Sequence, residues 1–256
     1  MKGQTMTPIS ICIIAKNEEK HMETFLSSIQ KQMGNYPYEI VLVDTGSTDR
    51  TVSIAKKYTD KIFSFEWVQD FSAARNYSLG CASYDWILVL DCDEYVTAFD
   101  TRDISRMISD FPDAVGMISR RNHYEMNGTD SVYTDQVERF FNRKLYHYDF
   151  PIHEQVRARN GQSYTRVELS LTAEHQGYSG SPEEMKKKAD RNNELLLKML
   201  EKTPDDPYLY FQIGQSYNML HDDENACYYY GKGLEFPVEP QFEYVQMMVI
   251  GYGYAL

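Results

Sequence analysis

Three nearly unbroken apolar runs, Ile9-Ser10-Ile11-Cys12-Ile13-Ile14-Ala15, Glu39-Ile40-Val41-Leu42-Val43 and Trp86-Ile87-Leu88-Val89-Leu90, each break off into a polar cluster. Short runs without alternation or turn residues read as strands buried on both faces, the kind found inside a parallel sheet. Between the first two, Met22, Phe25, Leu26, Ile29 and Met33 recur at helical spacing. After the second, Val52, Ile54 and Ala55 lead a helix on to Tyr58, with Ser47 or Thr48 available as its cap. Residues 61–65 read as a short third strand, and Asp70-Phe71-Ser72-Ala73-Ala74-Arg75-Asn76 opens another helix. Strand and helix alternating in this way imply βαβ units, a mostly parallel sheet and right-handed crossovers. In such a sheet the ligand crevice lies beyond the carboxyl ends of the strands. The polar clusters 16–19, 44–49 and 91–94 are therefore expected to converge there.

The periodicity changes further on. A helix is expected over 99–110 and a strand over 114–119, and residues 120–144 and 164–173 read as half-exposed strands of an antiparallel extension. Asn127-Gly128 and Asn160-Gly161 are hairpin signals. Ser181-Pro182-Glu183-Glu184 is a capping box that starts a helix running to about Lys202, which Thr203-Pro204-Asp205-Asp206-Pro207 breaks. Tyr210, Ile213-Gly214, Tyr217, Ala226 and Tyr230 then follow the spacing of a tetratricopeptide repeat. Two domains are expected, 1–180 (α/β) and 181–256 (helical). The last residues read as the next helix of a repeat, so further chain is expected beyond Leu256.

A formal net charge of -12 argues against nucleic acid or an anionic membrane as partner, since both require a basic footprint. Cys12, Cys81, Cys92 and Cys227 match no zinc spacing and follow no secretory signal, so reduced thiols and a cytoplasmic location are expected. No apolar run reaches the ~18 residues that span a bilayer, so no integral membrane contact is expected.

The third polar cluster carries the most chemistry. If Asp91-Cys92-Asp93-Glu94 stays extended, Asp91 and Asp93 project to one side and Glu94 to the other. Two carboxylates on one side suit Mg2+ or Mn2+. The competing reading is an aspartate that closes a turn or caps a helix.

Taken together, residues 9–19, Val41-Leu42-Val43-Asp44-Thr45-Gly46-Ser47-Thr48-Asp49, Ala74-Arg75-Asn76, Asp91-Cys92-Asp93, Arg139-Phe140-Phe141 and Ile152-His153-Glu154 resemble a family 2 glycosyltransferase with the GT-A (Rossmann-like) fold. Members with appended tetratricopeptide-like repeats include bacterial enzymes acting on peptides, proteins or cell-surface glycans. The resemblance implies a metal-dependent, inverting transfer from a UDP-sugar to a protein, peptide or glycan acceptor. It implies Asp93 as direct ligand of Mn2+ or Mg2+, Asp91 and Cys92 beside it near the ribose or a metal-bound water, and His175 as a later ligand. Asp44 would accept the uracil N3–H, with helix capping as the alternative. Ala15 and Glu18 would line the nucleoside pocket. Arg75 would supply a cation to uracil or diphosphate, unless it is a surface ion pair. Glu154 would be the general base, with Asp149 and Asp135 as neighbours able to take that role. His153 would orient the acceptor or a phosphate oxygen, and Arg139 and Arg143 would hold anions or make ordinary ion pairs. A homodimer is also compatible.

Other readings fit less well. There is no Gly-X-Gly-X-X-Gly after a strand, and Gly46-Ser47-Thr48-Asp49 lacks the Gly-Lys-Ser/Thr ending of a phosphate-binding loop. A sugar nucleotidyltransferase would need a glycine-rich opening where Ala15-Lys16-Asn17-Glu18 stands. A non-catalytic peptide-binding scaffold is the reading from a different class.

Overall fold

Strands β1 (Ile9–Ala15), β2 (Tyr38–Asp44), β3 (Ile62–Ser64) and β4 (Trp86–Val89) form the parallel half of an eight-stranded sheet. They are seen in a computed structural model that describes residues 6–126, 129–176 and 182–256. The pairing of β1 with β2 runs in register from Ile9↔Tyr38 to Ala15↔Asp44, so Ala15 and Asp44 end side by side at the carboxyl edge. Side chains alternate between the faces. Ile11, Ile13, Leu42 and Leu88 enter one core cluster, and Cys12, Val41, Ile87 and Val89 enter another. Both faces are therefore covered, which is why these strands lack a polar stripe.

Helices α1 (Met22–Met33), α2 (Thr51–Ala55) and α3 (Phe71–Cys81) make the crossovers. In α1 the five apolar residues of the stripe are all buried. Asp70 caps α3, accepting from the Ala73 N–H at 2.9 Å. Helix α2 is shorter than its pattern suggests and ends at Ala55.

The remainder of the sheet differs from expectation. Its elements are β5 (Glu94–Ala98), α4 (Arg102–Asp110), β6 (Val115–Met126), β7 (Thr129–Asn142) and β10 (Arg166–His175), with β8 (Tyr146–Asp149) and β9 (Gln155–Ala158) forming a separate two-stranded sheet. The strand order is β3-β2-β1-β4-β7-β6-β10-β5. Strand β7 runs antiparallel to both β4 and β6, as an antiparallel extension should. Strand β10, however, lies parallel to β6 and antiparallel to β5. Strand β5 occupies residues between the acid cluster and the helix expected over 99–110, where Tyr95, Val96 and Thr97 favour a pleated surface. The Asn160-Gly161 turn joins two different sheets and does not close a hairpin. Asn127-Gly128, Ser181 of the capping box and residues 1–5 lie outside the described residues.

The chain divides into two units, Met1–Ser179 and Gly180–Leu256. The second contains α5 (Pro182–Lys202), α6 (Pro207–Met219), α7 (Asp223–Leu234) and α8 (Glu243–Ala255). Asp206 and Asp222 cap α6 and α7 through the N–H groups of Tyr208 and Asn225. Phe211, Ala226, Tyr230 and Met248 form a buried cluster. The Tyr230 ring fills space that glycines leave open: a Cβ on Gly214 would stand 2.5 Å from its Cδ1, and one on Gly251 2.7 Å from its Cε2. Small residues opposite a large one explain the repeat-like spacing. Among the described residues no helix is long and apolar enough to cross a membrane.

Candidate functional site

Two loops at the carboxyl edge of the parallel strands brace one another. The Ala15 carbonyl accepts from the Thr45 N–H at 2.9 Å. Asn17, at φ 57°, accepts from the Thr48 N–H on Oδ1 at 2.8 Å and donates its own N–H to Ser47 Oγ at 2.9 Å. The Glu18 N–H donates to Thr51 Oγ1 at 2.7 Å, and the Glu19 N–H to Asp49 Oδ2 at 3.1 Å. Asp44 does not cap α2: its carboxylate accepts from the N–H groups of Gly46 and Ser47 at 3.3 and 3.1 Å, closing its own loop. The sequence clusters 16–19 and 44–49 are thus one rigid rim.

The acid cluster after β4 is a turn, with the Glu94 N–H donating to the Asp91 carbonyl at 3.0 Å. This overturns the extended geometry in which Asp91 and Asp93 share a side and Glu94 faces away. Asp91 accepts from Arg75 Nη2 on Oδ1 at 2.8 Å and from Arg139 Nη2 on Oδ2 at 2.7 Å. Arg139 Nη2 also donates to Glu94 Oε1 at 2.7 Å, and Glu94 is fully buried. Burial by itself would raise the Asp91 pKa, but the two guanidinium groups outweigh it and hold the carboxyl well below its usual range. For Glu94 burial prevails over Arg139, and its pKa is raised. Asp91, expected as a metal ligand, is here an ion-pair partner of two guanidinium groups, with one contact on each oxygen. Cys92 is buried. Its thiol turns into the core toward the Ile14 carbonyl, Sγ to O 3.7 Å, and burial pushes its pKa up.

Arg75 is not a surface residue. It is 5% exposed and also donates from Nε to Glu154 Oε1 at 2.5 Å. Burial opposes its charge, but Asp91 and Glu154 overcome this and raise its pKa. Its guanidinium lies 5.4 Å from the centroid of the Tyr148 ring, and burial raises the Tyr148 hydroxyl to about 12. The loop carrying Glu154 is tied to α3 by the Phe71 N–H, which donates to the Pro151 carbonyl at 2.8 Å. Exposed His153 precedes Glu154 with φ 51°.

Asp93 points elsewhere. Its Oδ2 lies 3.4 Å from His175 Nε2, across the register that pairs His175 with Glu94. The two atoms form an ion pair when the imidazole is protonated, and two ligands bonded at about 2.1 Å to one octahedral ion would stand about 3 Å apart, within a small adjustment of this spacing. A carboxylate oxygen and an imidazole nitrogen are both acceptable to Mn2+. The pair fits such an ion only if other ligands come from substrate or water: among the described residues no group of three or more His, Cys, Asp or Glu could hold a metal.

Three further candidates are placed in other roles. Asp135 accepts from Arg120 Nη2 at 2.6 Å on Oδ2 and from Asn122 Nδ2 at 3.0 Å on Oδ1, so both its oxygens are held by partners. Asp149 is exposed and accepts from its neighbour, the Phe150 N–H. Arg143 donates to the Leu79 carbonyl at 2.8 Å, a packing role. Glu94, Asn122, Arg120 and Tyr148 carry no motif signal, yet they build the surroundings of Asp91 and His175. For Glu94, an acid directly after a strand-end pair was the available clue.

A model described as "Glycosyl transferase family 2" matches residues 10–164. Glycosyltransferase SunS of Bacillus subtilis is 29% identical over 233 residues, covering 89% of this chain and 54% of that protein. A TPR repeat-containing protein of Synechococcus elongatus is 30% identical over 219 residues, 83% of this chain and 53% of its own length. The chain spans about half the length of these curated relatives. Among solved structures, Staphylococcus aureus TarS 1-349 in complex with UDP-GlcNAc superposes with a TM-score of 0.53 at 17% identity, covering 98% of this chain and 90% of that one. This last likeness is one of fold.

Proposed function

The chain belongs to glycosyl transferase family 2, and from that membership we propose that it moves a sugar from a UDP-sugar to a protein, peptide or glycan acceptor, with a divalent cation and with inversion. The observation that carries the reading is the link between a candidate cation pair and a candidate base. Asp93 faces His175, while Asp91, two residues earlier, is joined through Arg75 to Glu154. The solved complex of TarS with UDP-GlcNAc supports a UDP-sugar as donor.

Asp93 and His175 would hold Mn2+ or Mg2+, which supplies Lewis-acid stabilisation of the charge that develops on the departing diphosphate. Asp44, whose Oδ1 accepts from the Ser47 N–H alone and keeps a second lone pair, would accept the uracil N3–H. The braced rim at Ala15 and Glu18 would line the nucleoside. Arg75 orients Glu154 through Oε1, leaving Oε2 to take the acceptor's proton on the face opposite the diphosphate. His153, exposed beside it, would contact the acceptor. The helical unit would present an acceptor or a partner, and the four free cysteines suit a reducing, cytoplasmic setting.

The test is UDP release from a panel of UDP-sugars with Mn2+. At least one donor is expected to turn over, and Asp93→Ala to lower the rate by about 100-fold or more. Absence of both UDP binding and UDP release overturns the reading. Consumption of pyrophosphate with a UDP-sugar would replace it with nucleotidyl transfer.

A further inference from the structure

Asn122 is fully buried on β6, between Asp135 on β7 and His175 on β10. Asp135 accepts from Arg120 Nε at 3.1 Å, from Arg120 Nη2 at 2.6 Å and from Asn122 Nδ2 at 3.0 Å. Burial would raise the Asp135 pKa, and its pairing with Arg120 outweighs this and keeps the carboxyl below its ordinary value. An ionised carboxylate only accepts, so the Asn122 amide must turn its NH2 toward Asp135. Its Oδ1 then faces His175 Nδ1 at 2.7 Å. An oxygen acceptor at that distance requires a proton on Nδ1. The imidazolium would donate from both nitrogens, to Asn122 and to Asp93 Oδ2, 3.4 Å away. Once neutral the ring has one N–H, and with it on Nδ1 the lone pair is on Nε2, on the side of Asp93. The opposite tautomer would need a flipped amide, setting Asn122 Oδ1 against the acceptor Asp135 Oδ1.

We propose that Asn122 and Asp135 are positioning residues that hold His175 in the Nδ1–H tautomer, so that Nε2 and Asp93 together form the protein's half of a divalent-cation site. This rests on the reading of Asp93 and His175 as a cation pair. Arg120 fixes Asp135, Asp135 fixes the amide, the amide fixes the imidazole, and the imidazole offers a nitrogen donor in place of an N–H.

Two measurements on the full chain separate the parts. Nitrogen-15 NMR of the metal-free protein, at a pH well above the ordinary histidine range, reads the His175 tautomer directly. The wild type is expected in the Nδ1–H form, and Asp135→Asn, whose neutral amide no longer dictates the orientation of Asn122, is expected to mix the two forms. Mn2+ titration in the presence of UDP, followed by electron paramagnetic resonance, is expected to show affinity weakened about 10- to 100-fold in Asp135→Asn and in Asn122→Leu. A wild-type ring in the Nε2–H form, or Mn2+ affinity unchanged in a folded Asp135→Asn chain, overturns the proposal. A locked Nδ1–H ring in a wild type that binds UDP but no Mn2+ overturns the cation reading of the pair while leaving the hydrogen-bond chain intact.

Discussion

One buried guanidinium, Arg75, holds Asp91 through Nη2 and Glu154 through Nε, so residues from two distant stretches share a single cation. That arrangement fixes what Glu154→Gln should do. The amide keeps an oxygen to accept from Arg75 but cannot take a proton, so kcat is expected to fall about 10²- to 10⁴-fold while UDP affinity by calorimetry stays within a few-fold. Retained turnover would move the base elsewhere. Arg139 plays a different part, neutralising Asp91 and fully buried Glu94 at once. Removing it leaves Asp91 with Arg75 alone and Glu94 with only the longer 3.6 Å contact to Arg120, and Arg139→Leu is expected to cost about 3–5 kcal/mol in urea denaturation. A loss under 1 kcal/mol would show that Arg139 is not needed to neutralise these acids in the folded protein. Motif order in the sequence points to Asp93, Arg75 and Glu154 as candidates, and the structure brings Arg75 and Glu154 into contact. Their partners were not legible there, since Glu94 and Asn122 act across a turn and a strand pairing that no linear spacing encodes.

The strands and helices of the parallel half could be read from the chain because each face of each strand is apolar and each crossover helix carries its own stripe. The second half could not. Strand β10 reaches β6 in parallel only after β8 and β9 have paired apart from the main sheet, a choice set by long-range packing. The start of β2 shows how side chains pin such pairings. Glu39 accepts from Ser10 Oγ and the Ser83 N–H at 2.6 Å each and from Lys61 Nζ at 2.5 Å, tying β2 to β1 and to the residues after α3. Burial would raise the Glu39 pKa, but Lys61 and Ser10 outweigh it and the pKa is lowered. A lowered folded pKa means stability that is full above about pH 4.3, the ordinary glutamate value, and lost as pH falls through the folded value. Urea midpoints of the wild type should therefore drop on acidification below that point, and Glu39→Gln should flatten this limb. An equally steep limb in the variant would place the acid sensitivity in other carboxylates.

As a whole, the chain combines an α/β unit that bears every candidate site residue with a helical unit built on small-to-large packing. The two call for different perturbations, and calorimetry of the intact chain can apply both. UDP with Mn2+ at about 100 times its dissociation constant stabilises the state that binds it by about 2.7 kcal/mol. That gain is expected in the transition of the α/β unit. In the helical unit, Gly214→Ala drives a methyl into the Tyr230 ring, from which a Cβ would stand only 2.5 Å away. Overpacking of this kind costs about 1–3 kcal/mol and should lower the other transition, with partial recovery in the Gly214→Ala, Tyr230→Leu double variant. If UDP and Mn2+ instead raise the transition that Gly214→Ala lowers, and leave the first one unmoved, the donor does not bind at the carboxyl edge of the sheet, and the assignments of Asp44, Asp93 and His175 fall together.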